Sequence, residues 1–262
     1  MKNEWKIGFI GFGNMAQAMA KGLLAAGVCQ GSQIVACAGH FDKLQEKTRA
    51  LGVQAAASAA EAAEKADCVI LAVKPNMIEA VTEPILDLLQ KKVVISVAAG
   101  YDFDRYEEIF KEGTHHISTI PNTPISVGEG ILVCENRHSL NQEELETFVE
   151  IFSRIALVEM VNPSQLSIAG TLSGCSPAFT AMYLEALADA GVKHGLSRDA
   201  AYRMAAKMIC GTGKLYLQNE THPGIMKDAV CSPGGTTIRG VAALEKDGFR
   251  GTVIGAIDAI EE

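Results

Sequence analysis

Two glycine loops in this sequence carry residue types whose spacing suits anion binding. The first is Gly11-Phe12-Gly13-Asn14-Met15-Ala16, a G-x-G-x-x-A pattern directly after the apolar tetrad Ile7-Gly8-Phe9-Ile10. In such a pattern the first glycine permits a tight turn, the second lets a pyrophosphate approach the backbone, and the small sixth residue lets a helix pack close to the strand. The helix that follows turns its unpaired first-turn N–H groups toward the phosphates. A purely structural strand-to-helix corner is the alternative; the strand and helix alternation downstream favours the dinucleotide reading. The second loop is Ser232-Pro233-Gly234-Gly235-Thr236-Thr237, ahead of a helix expected to begin near Ile238. Its glycines expose consecutive backbone N–H groups, its threonines add hydroxyl donors, and the helix dipole favours negative charge. No Gly-Lys-[Ser/Thr] follows, as a nucleoside triphosphate loop requires, and Gly213-Lys214 lacks the preceding glycine and is followed by Leu215. A carboxylate is therefore the expected guest, against the alternative of a helix-to-helix turn capped by threonine.

The elements that must hold these loops can be read in order. Lys6 to Gly27 spells strand, glycine turn and amphipathic helix, the opening of a βαβ unit. A second strand, Gln33 to Ala36, ends in Cys37-Ala38-Gly39-His40, where an acid would be needed to hold a ribose 2′-hydroxyl. None is there, so a 2′-phosphate is not repelled and His40 or Lys43 can approach it; NADPH is the expected cofactor, with NAD as the alternative. Asp42 to Leu51 reads as a helix, and Ser58 with Glu61 as a capping box opening another. Cys68 to Val73 is apolar throughout, as a central parallel strand should be, and stops at Lys74-Pro75 on the edge where open α/β sheets bind ligands. Simple exposure also accounts for Lys74. Val93 to Val97 leads into Ala98-Ala99-Gly100, small residues that admit either a flat nicotinamide ring or a closely packed helix. His116 to Ile120, the rigid turn Pro121 to Pro124, Ile131 to Cys134 and Leu157 to Val161 follow, around a helix capped by Asn141 with Glu144 three residues on.

From Asn162-Pro163 the pattern becomes helical, with Asn162 suited to the N-cap and Pro163 to the first helical position. Helices are expected over Pro163 to Leu172, Ala178 to His194, Ser197 to Gln218, His222 to Val230 and Ile238 to Glu245. The fold class is thus α/β: a doubly wound sheet over 1–162, then an all-helical domain over 163–262. Those helices are too apolar for so small a module to bury alone, which predicts a partner subunit. The length of 262 residues with 48% apolar content supports two domains, and a net charge of −8 without a basic tract argues against nucleic acid and anionic membranes as partners. No apolar run approaches the roughly 18 residues that span a bilayer. The seven cysteines contain no C-x-x-C pair and lie mostly in apolar segments, so reduced thiols, no metal site and a cytoplasmic setting are expected.

Taken together, Gly8 to Ala16, Ala72-Val73-Lys74-Pro75, Ala98-Ala99-Gly100, Leu172 to Pro177, His222-Pro223-Gly224 and Lys227 to Thr237 resemble the pyrroline-5-carboxylate reductases nearly end to end. The resemblance implies NAD(P)H-dependent reduction of 1-pyrroline-5-carboxylate to L-proline, an N-terminal Rossmann domain and a helical domain that intertwines in a homodimer, with a higher oligomer of dimers open. It implies that Gly11, Phe12, Gly13, Asn14, Met15 and Ala16 hold the pyrophosphate, that Val73, Lys74, Pro75 and Ala99 line the cofactor, and that Ser232, Gly234, Gly235, Thr236 and Thr237 hold the substrate. Ala38 departs from the family pattern, in which a Ser or Thr often stands near the adenosine ribose.

Reducing a cyclic C=N needs a hydride at carbon, which a nicotinamide supplies, and a proton at nitrogen. An imine already protonated in water asks little of a general acid. The Thr237 hydroxyl, orienting the ring nitrogen directly or through water, is the candidate for the catalytic role; Glu220 is a weaker candidate behind it, and His222 reads as a turn residue. A β-hydroxyacid dehydrogenase would need a lysine soon after the Gly170 to Gly174 cluster, and none occurs before Lys193. A non-catalytic NADP-binding regulator is the remaining alternative.

Overall fold

Strands buried on both faces read as near-continuous apolar runs. In the computed structural model, which describes residues 5–262, four such tetrads form the centre of a sheet. They are β1 (Ile7–Ile10), β2 (Ile34–Cys37), β4 (Cys68–Leu71) and β5 (Val93–Ser96), each buried at every position. The two-residue β3 (Gln54–Ala55) forms one edge, and β6 (His115–Pro121), β7 (Gly130–Glu135) and β8 (Ala156–Val161) complete eight strands in the order β3-β2-β1-β4-β5-β6-β7-β8. Strands β1 to β6 run parallel, β7 is antiparallel to β6, and β8 is parallel to β7.

In this register Ile10 lies level with Cys37 and Leu71, and Leu71 level with Ser96, so four neighbouring strands finish in one row. The order reverses at β1, with β2 and β3 on one side and β4 onward on the other. That is the switch point at which open α/β sheets form their ligand crevice. One face packs Phe9, Met19, Leu23, Phe148 and Phe152; the other packs Ile10, Val69, Leu71, Tyr106 and Phe110.

The helix ends follow from local capping chemistry. Asn141 and Glu144 form a reciprocal box: Asn141 Oδ1 accepts from the Glu144 N–H at 3.0 Å, and the Glu144 carboxylate accepts from the Asn141 N–H at 2.9 Å. At Ser58 the expected box closes on one side only. The Ser58 hydroxyl accepts from the Glu61 N–H at 3.1 Å, but the Glu61 carboxylate reaches past Ser58 to the Ala57 N–H at 2.7 Å and to the Lys65 ammonium at 2.7 Å.

The chain divides into two compact units, Met1–Gly174 and Cys175–Glu262. The first extends beyond the boundary expected at Asn162-Pro163, and the reason is packing. The helix Leu166–Gly174 lies against β6 and β7, where a β-carbon on Gly170 would come within 3.0 Å of the Ile120 side chain. Asn162 and Pro163 nevertheless take the cap and first-turn positions anticipated for them, opening a 3-10 turn, Pro163–Gln165.

The second unit holds Ser176–Lys193, Arg198–Asn219, Pro223–Ala229, Thr236–Lys246 and Phe249–Glu261. The first two of these pack on each other, and Ser197 caps the second by accepting from the Ala200 N–H at 3.4 Å. Among the described residues four α-helices had no counterpart in the sequence reading: the short Ile78–Thr82 and Leu86–Leu89, Phe103–Ile109, capped by Asp102, and Phe249–Glu261.

Candidate functional site

Gly11 adopts φ +92°, a conformation open to glycine and costly to other residues. Its N–H donates to the Cys37 carbonyl at 3.0 Å, while the Ala72 N–H donates to the Ile10 carbonyl at 2.8 Å, so the turn is held by both neighbouring strand ends. A β-carbon here would stand 2.5 Å from the Ala72 carbonyl oxygen and 2.8 Å from the Val73 side chain. Gly13 differs: it is exposed, forms the N-cap of the helix Asn14–Ala25, and a β-carbon on it would meet nothing within 4 Å. No side chain caps that helix, so its first-turn N–H groups stay available to an anion. The Phe12 and Ala16 side chains are buried, the Phe12 ring packing on Phe9 at 5.9 Å; both contribute backbone, not side chain, to the loop. Asn14 is exposed and Met15 half-buried beside them. A loop with one glycine fixed by its own fold and a second facing open space fits a pyrophosphate.

The other expected cofactor residues share this edge. Val73 follows β4 and is half-buried; Lys74 and Pro75 are exposed, with Lys74 as N-cap and Pro75 as first residue of the 3-10 turn Pro75–Met77. His40, exposed at the end of β2, is the N-cap of Phe41–Leu51, and its imidazole makes no cap bond. Ala99 lies just past β5, exposed with Gly100 between buried Ala98 and buried Tyr101.

In the helical unit, the Gly235 N–H donates to the Ser232 carbonyl at 3.0 Å, with Gly234 at φ +70°. Proline second and a positive-φ glycine third are the pattern of a type II turn. Gly235 is itself the N-cap of Thr236–Lys246 and has no side-chain cap bond. The threonine hydroxyls are thus not used as the cap, the helix starts two residues earlier than Ile238, and Thr236 and Thr237 occupy its first exposed turn. A β-carbon on Gly235 would lie 2.4 Å from the Ser232 hydroxyl oxygen, so only glycine lets that hydroxyl stand over the turn. His222 uses its ring differently: Nδ1 accepts from the Gly224 N–H at 3.0 Å, as a helix-start residue. Glu220 takes φ +48° at the end of Arg198–Asn219, the sole positive-φ residue other than glycine among those described.

Several polar groups behind the sheet edge were invisible to sequence reasoning. Ser96 and Tyr106 share a 2.5 Å hydrogen bond in the core, and the Thr119 hydroxyl donates to the Ser96 carbonyl at 2.8 Å. Burial pushes the Tyr106 phenol well up, so it stays a neutral hydroxyl. Asn122 bridges two elements: its Oδ1 accepts from the Ile131 N–H at 2.8 Å and its Nδ2 donates to the Ser173 carbonyl at 3.0 Å. On β6, His115 meets Glu144 at 2.7 Å on one face of the sheet and His116 meets Glu107 at 2.7 Å on the other. The only hint in the sequence was polar residues inside otherwise apolar strands.

All seven cysteines are free, and burial raises the thiols of Cys29, to about 11, and of Cys37. Among the described residues no group of three His, Cys, Asp or Glu could hold a metal ion, and no helix is long and apolar enough to cross a membrane.

Residues 163–262 match the family model described as pyrroline-5-carboxylate reductase dimerisation, and residues 6–100 match the model described as NADP oxidoreductase, coenzyme F420-dependent. The chain is 44% identical to a pyrroline-5-carboxylate reductase of Treponema pallidum over 257 residues, covering 97% of both chains. It is 38% identical to that of Escherichia coli over 97% of this chain and 95% of the relative. Among solved structures, a Plasmodium falciparum pyrroline carboxylate reductase with NADP bound superposes with a TM-score of 0.85 at 29% identity, covering 99% of this chain and 96% of the other. The Coxiella burnetii pyrroline-5-carboxylate reductase gives 0.87 at 30%, over 98% and 96%.

Proposed function

The chain belongs to the pyrroline-5-carboxylate reductase family, and from that premise we propose how its own residues divide the work of reducing 1-pyrroline-5-carboxylate to L-proline with NADP(H). When bound, the nicotinamide supplies the hydride for the ring C=N carbon. In the first unit, Gly11, Phe12, Gly13, Asn14, Met15 and Ala16 hold the pyrophosphate through backbone amides and the start of Asn14–Ala25. Val73, Lys74, Pro75 and Ala99 line the crevice beyond β4 and β5. His40 serves the 2′-phosphate at the end of β2, where no acid opposes it.

In the helical unit, Ser232, Gly234, Gly235, Thr236 and Thr237 receive the substrate carboxylate. The first-turn amides of Thr236–Lys246 face it, and the Ser232 hydroxyl adds a donor. Thr237 carries the polar catalytic role: its hydroxyl has no partner among the described residues and is free to orient the ring nitrogen. The observation that carries this reading is that both glycine loops end in helices without side-chain caps, so both leave amide donors for an anion.

Residues 163–262 form the dimerisation segment, and the active protein is a homodimer. A higher oligomer would be built from such dimers. Free thiols, of which Cys210 alone is exposed, support a cytoplasmic setting. The deciding experiment follows NADPH absorbance at 340 nm. Turnover with 1-pyrroline-5-carboxylate, and none with 2-hydroxy or 3-hydroxy acids and NADP, is expected. Cofactor binding without turnover would select a regulator instead.

A further inference from the structure

The exposed pair Ala99-Gly100 forms a short bow whose two shoulders, Ala98 and Tyr101, are both buried. One residue holds both shoulders. The Tyr106 hydroxyl bonds the Ser96 hydroxyl at 2.5 Å, and Ser96 Oγ in turn accepts from the Ala98 N–H at 3.2 Å. The Tyr106 ring packs on the Tyr101 ring at 5.4 Å, and Arg105 closes over Tyr101 at 4.2 Å.

The arrangement has little freedom. Ser96 is the last residue of β5, where the parallel ladder ends and the next amides need other partners. Val97 N–H finds the Leu71 carbonyl at 3.1 Å, and the Ala98 N–H finds Ser96 Oγ. The Thr119 hydroxyl pins the Ser96 carbonyl from the neighbouring strand. Ser96, Tyr106 and Thr119 are all buried, so water does not compete for these bonds. The bow itself turns at Gly100, φ +77°, with open space around it.

We propose that Ser96 and Tyr106 are positioning residues that fix the Ala98-to-Tyr101 bow for the nicotinamide half of the cofactor. This rests on the assignment of Ala99 to the cofactor site. Neither hydroxyl touches the cofactor; each acts through the backbone that does.

Three variants test it: Tyr106→Phe, which keeps the ring and removes only the hydroxyl, Ser96→Ala, and Ala99→Phe, which fills the bow's outer surface. Dissociation constants are measured for NADPH and for adenosine 2′,5′-bisphosphate, which carries the adenosine half alone. Tyr106→Phe and Ser96→Ala should raise the NADPH constant about two- to tenfold, the worth of one buried hydrogen bond, and leave the bisphosphate constant unchanged. Should Ser96→Ala fail to fold, Tyr106→Phe alone carries the test. If Tyr106→Phe weakens both ligands equally, or neither, while Ala99→Phe weakens NADPH, the positioning role is wrong and the cofactor assignment stands. If Ala99→Phe leaves NADPH binding unchanged, the assignment of Ala99 is wrong and the proposal falls with it.

Discussion

A β-carbon on Gly11 would stand 2.5 Å from the carbonyl oxygen of Ala72, whereas the same atom on Gly13 would meet nothing. Two glycines of one loop are therefore required for different reasons, the first by the protein's own fold and the second by what the loop must admit. Gly11→Ala should destabilise the protein by at least about 2 kcal/mol, since it adds left-handed strain to a backbone collision. Gly13→Val should leave the fold intact and remove measurable cofactor binding. Calorimetry showing unchanged affinity in Gly13→Val would contradict the loop's assignment.

The second loop separates carboxylate binding from work at the ring nitrogen. Thr237→Ala leaves the first-turn amides intact, so kcat should fall more than KM rises, with a combined loss of about 1–3 kcal/mol. Steady-state kinetics decide it: a rise in KM with kcat untouched would make Thr237 a carboxylate ligand alone.

Gly235→Ala acts at the opposite end of that division. The new methyl would crowd the Ser232 hydroxyl from 2.4 Å and displace it, raising KM first. Cofactor affinity should stay constant in this variant, and a matching loss of NADPH binding would count against placing the loop at the substrate.

Folding should depend on pH through two buried groups of opposite sign. Burial, outweighing the Glu107 carboxylate, depresses the His116 pKa, so the fold favours neutral imidazole. That stability is present above the ordinary value of about 6.5 and is lost as pH falls through the lower folded value. For Glu135 burial raises the pKa, with the Phe103 N–H opposing at 2.7 Å, so its contribution is present below the ordinary carboxyl range and lost as pH rises. Melting curves should show His116→Phe flattening the acid limb and Glu135→Gln raising stability at neutral pH; an unchanged acid limb in His116→Phe would remove histidine from the account.

On Arg198–Asn219, Met204, Met208 and Leu215 are 62%, 45% and 51% exposed at helical spacing. Met208→Glu should shift light scattering from twice 27.8 kDa, or a multiple of it, toward the monomer mass. Retention of the native mass would move the subunit interface off this face.

The sheet was legible because its central strands are apolar runs broken only by Ser96 at the end of β5, and the cofactor loop because Gly11 and Gly13 follow one of them. Strand ends moved by a residue or so, as at β2, where Gln33 belongs to a 3-10 turn and Cys37 to the strand. The helix Phe249–Glu261 escaped because Gly251, Thr252, Val253, Ile254 and Gly255 are poor helix formers and much of its apolar surface is exposed within one chain. Phe103–Ile109 is short and mixed in pattern, and its value lies in where Tyr106 lands. The partnership of Ser96 with Tyr106, and of Asn122 with Ser173, depends on strands and helices meeting across the fold, which no local pattern records.

The central place of β1 has a consequence for biosynthesis. Ile10 pairs with Cys37 on one side, but its other partner, Leu71, is made about 60 residues later. At about 5–20 residues per second, the ribosome leaves that flank of an apolar strand without its neighbour for roughly 3–12 s. The same strand order that creates the crevice at Gly11 thus creates a window in which that apolar strand stands half-paired and open to aggregation. Ribosome-bound chains stalled before β4 should be cut readily by protease, and those stalled after the first unit has fully emerged should resist.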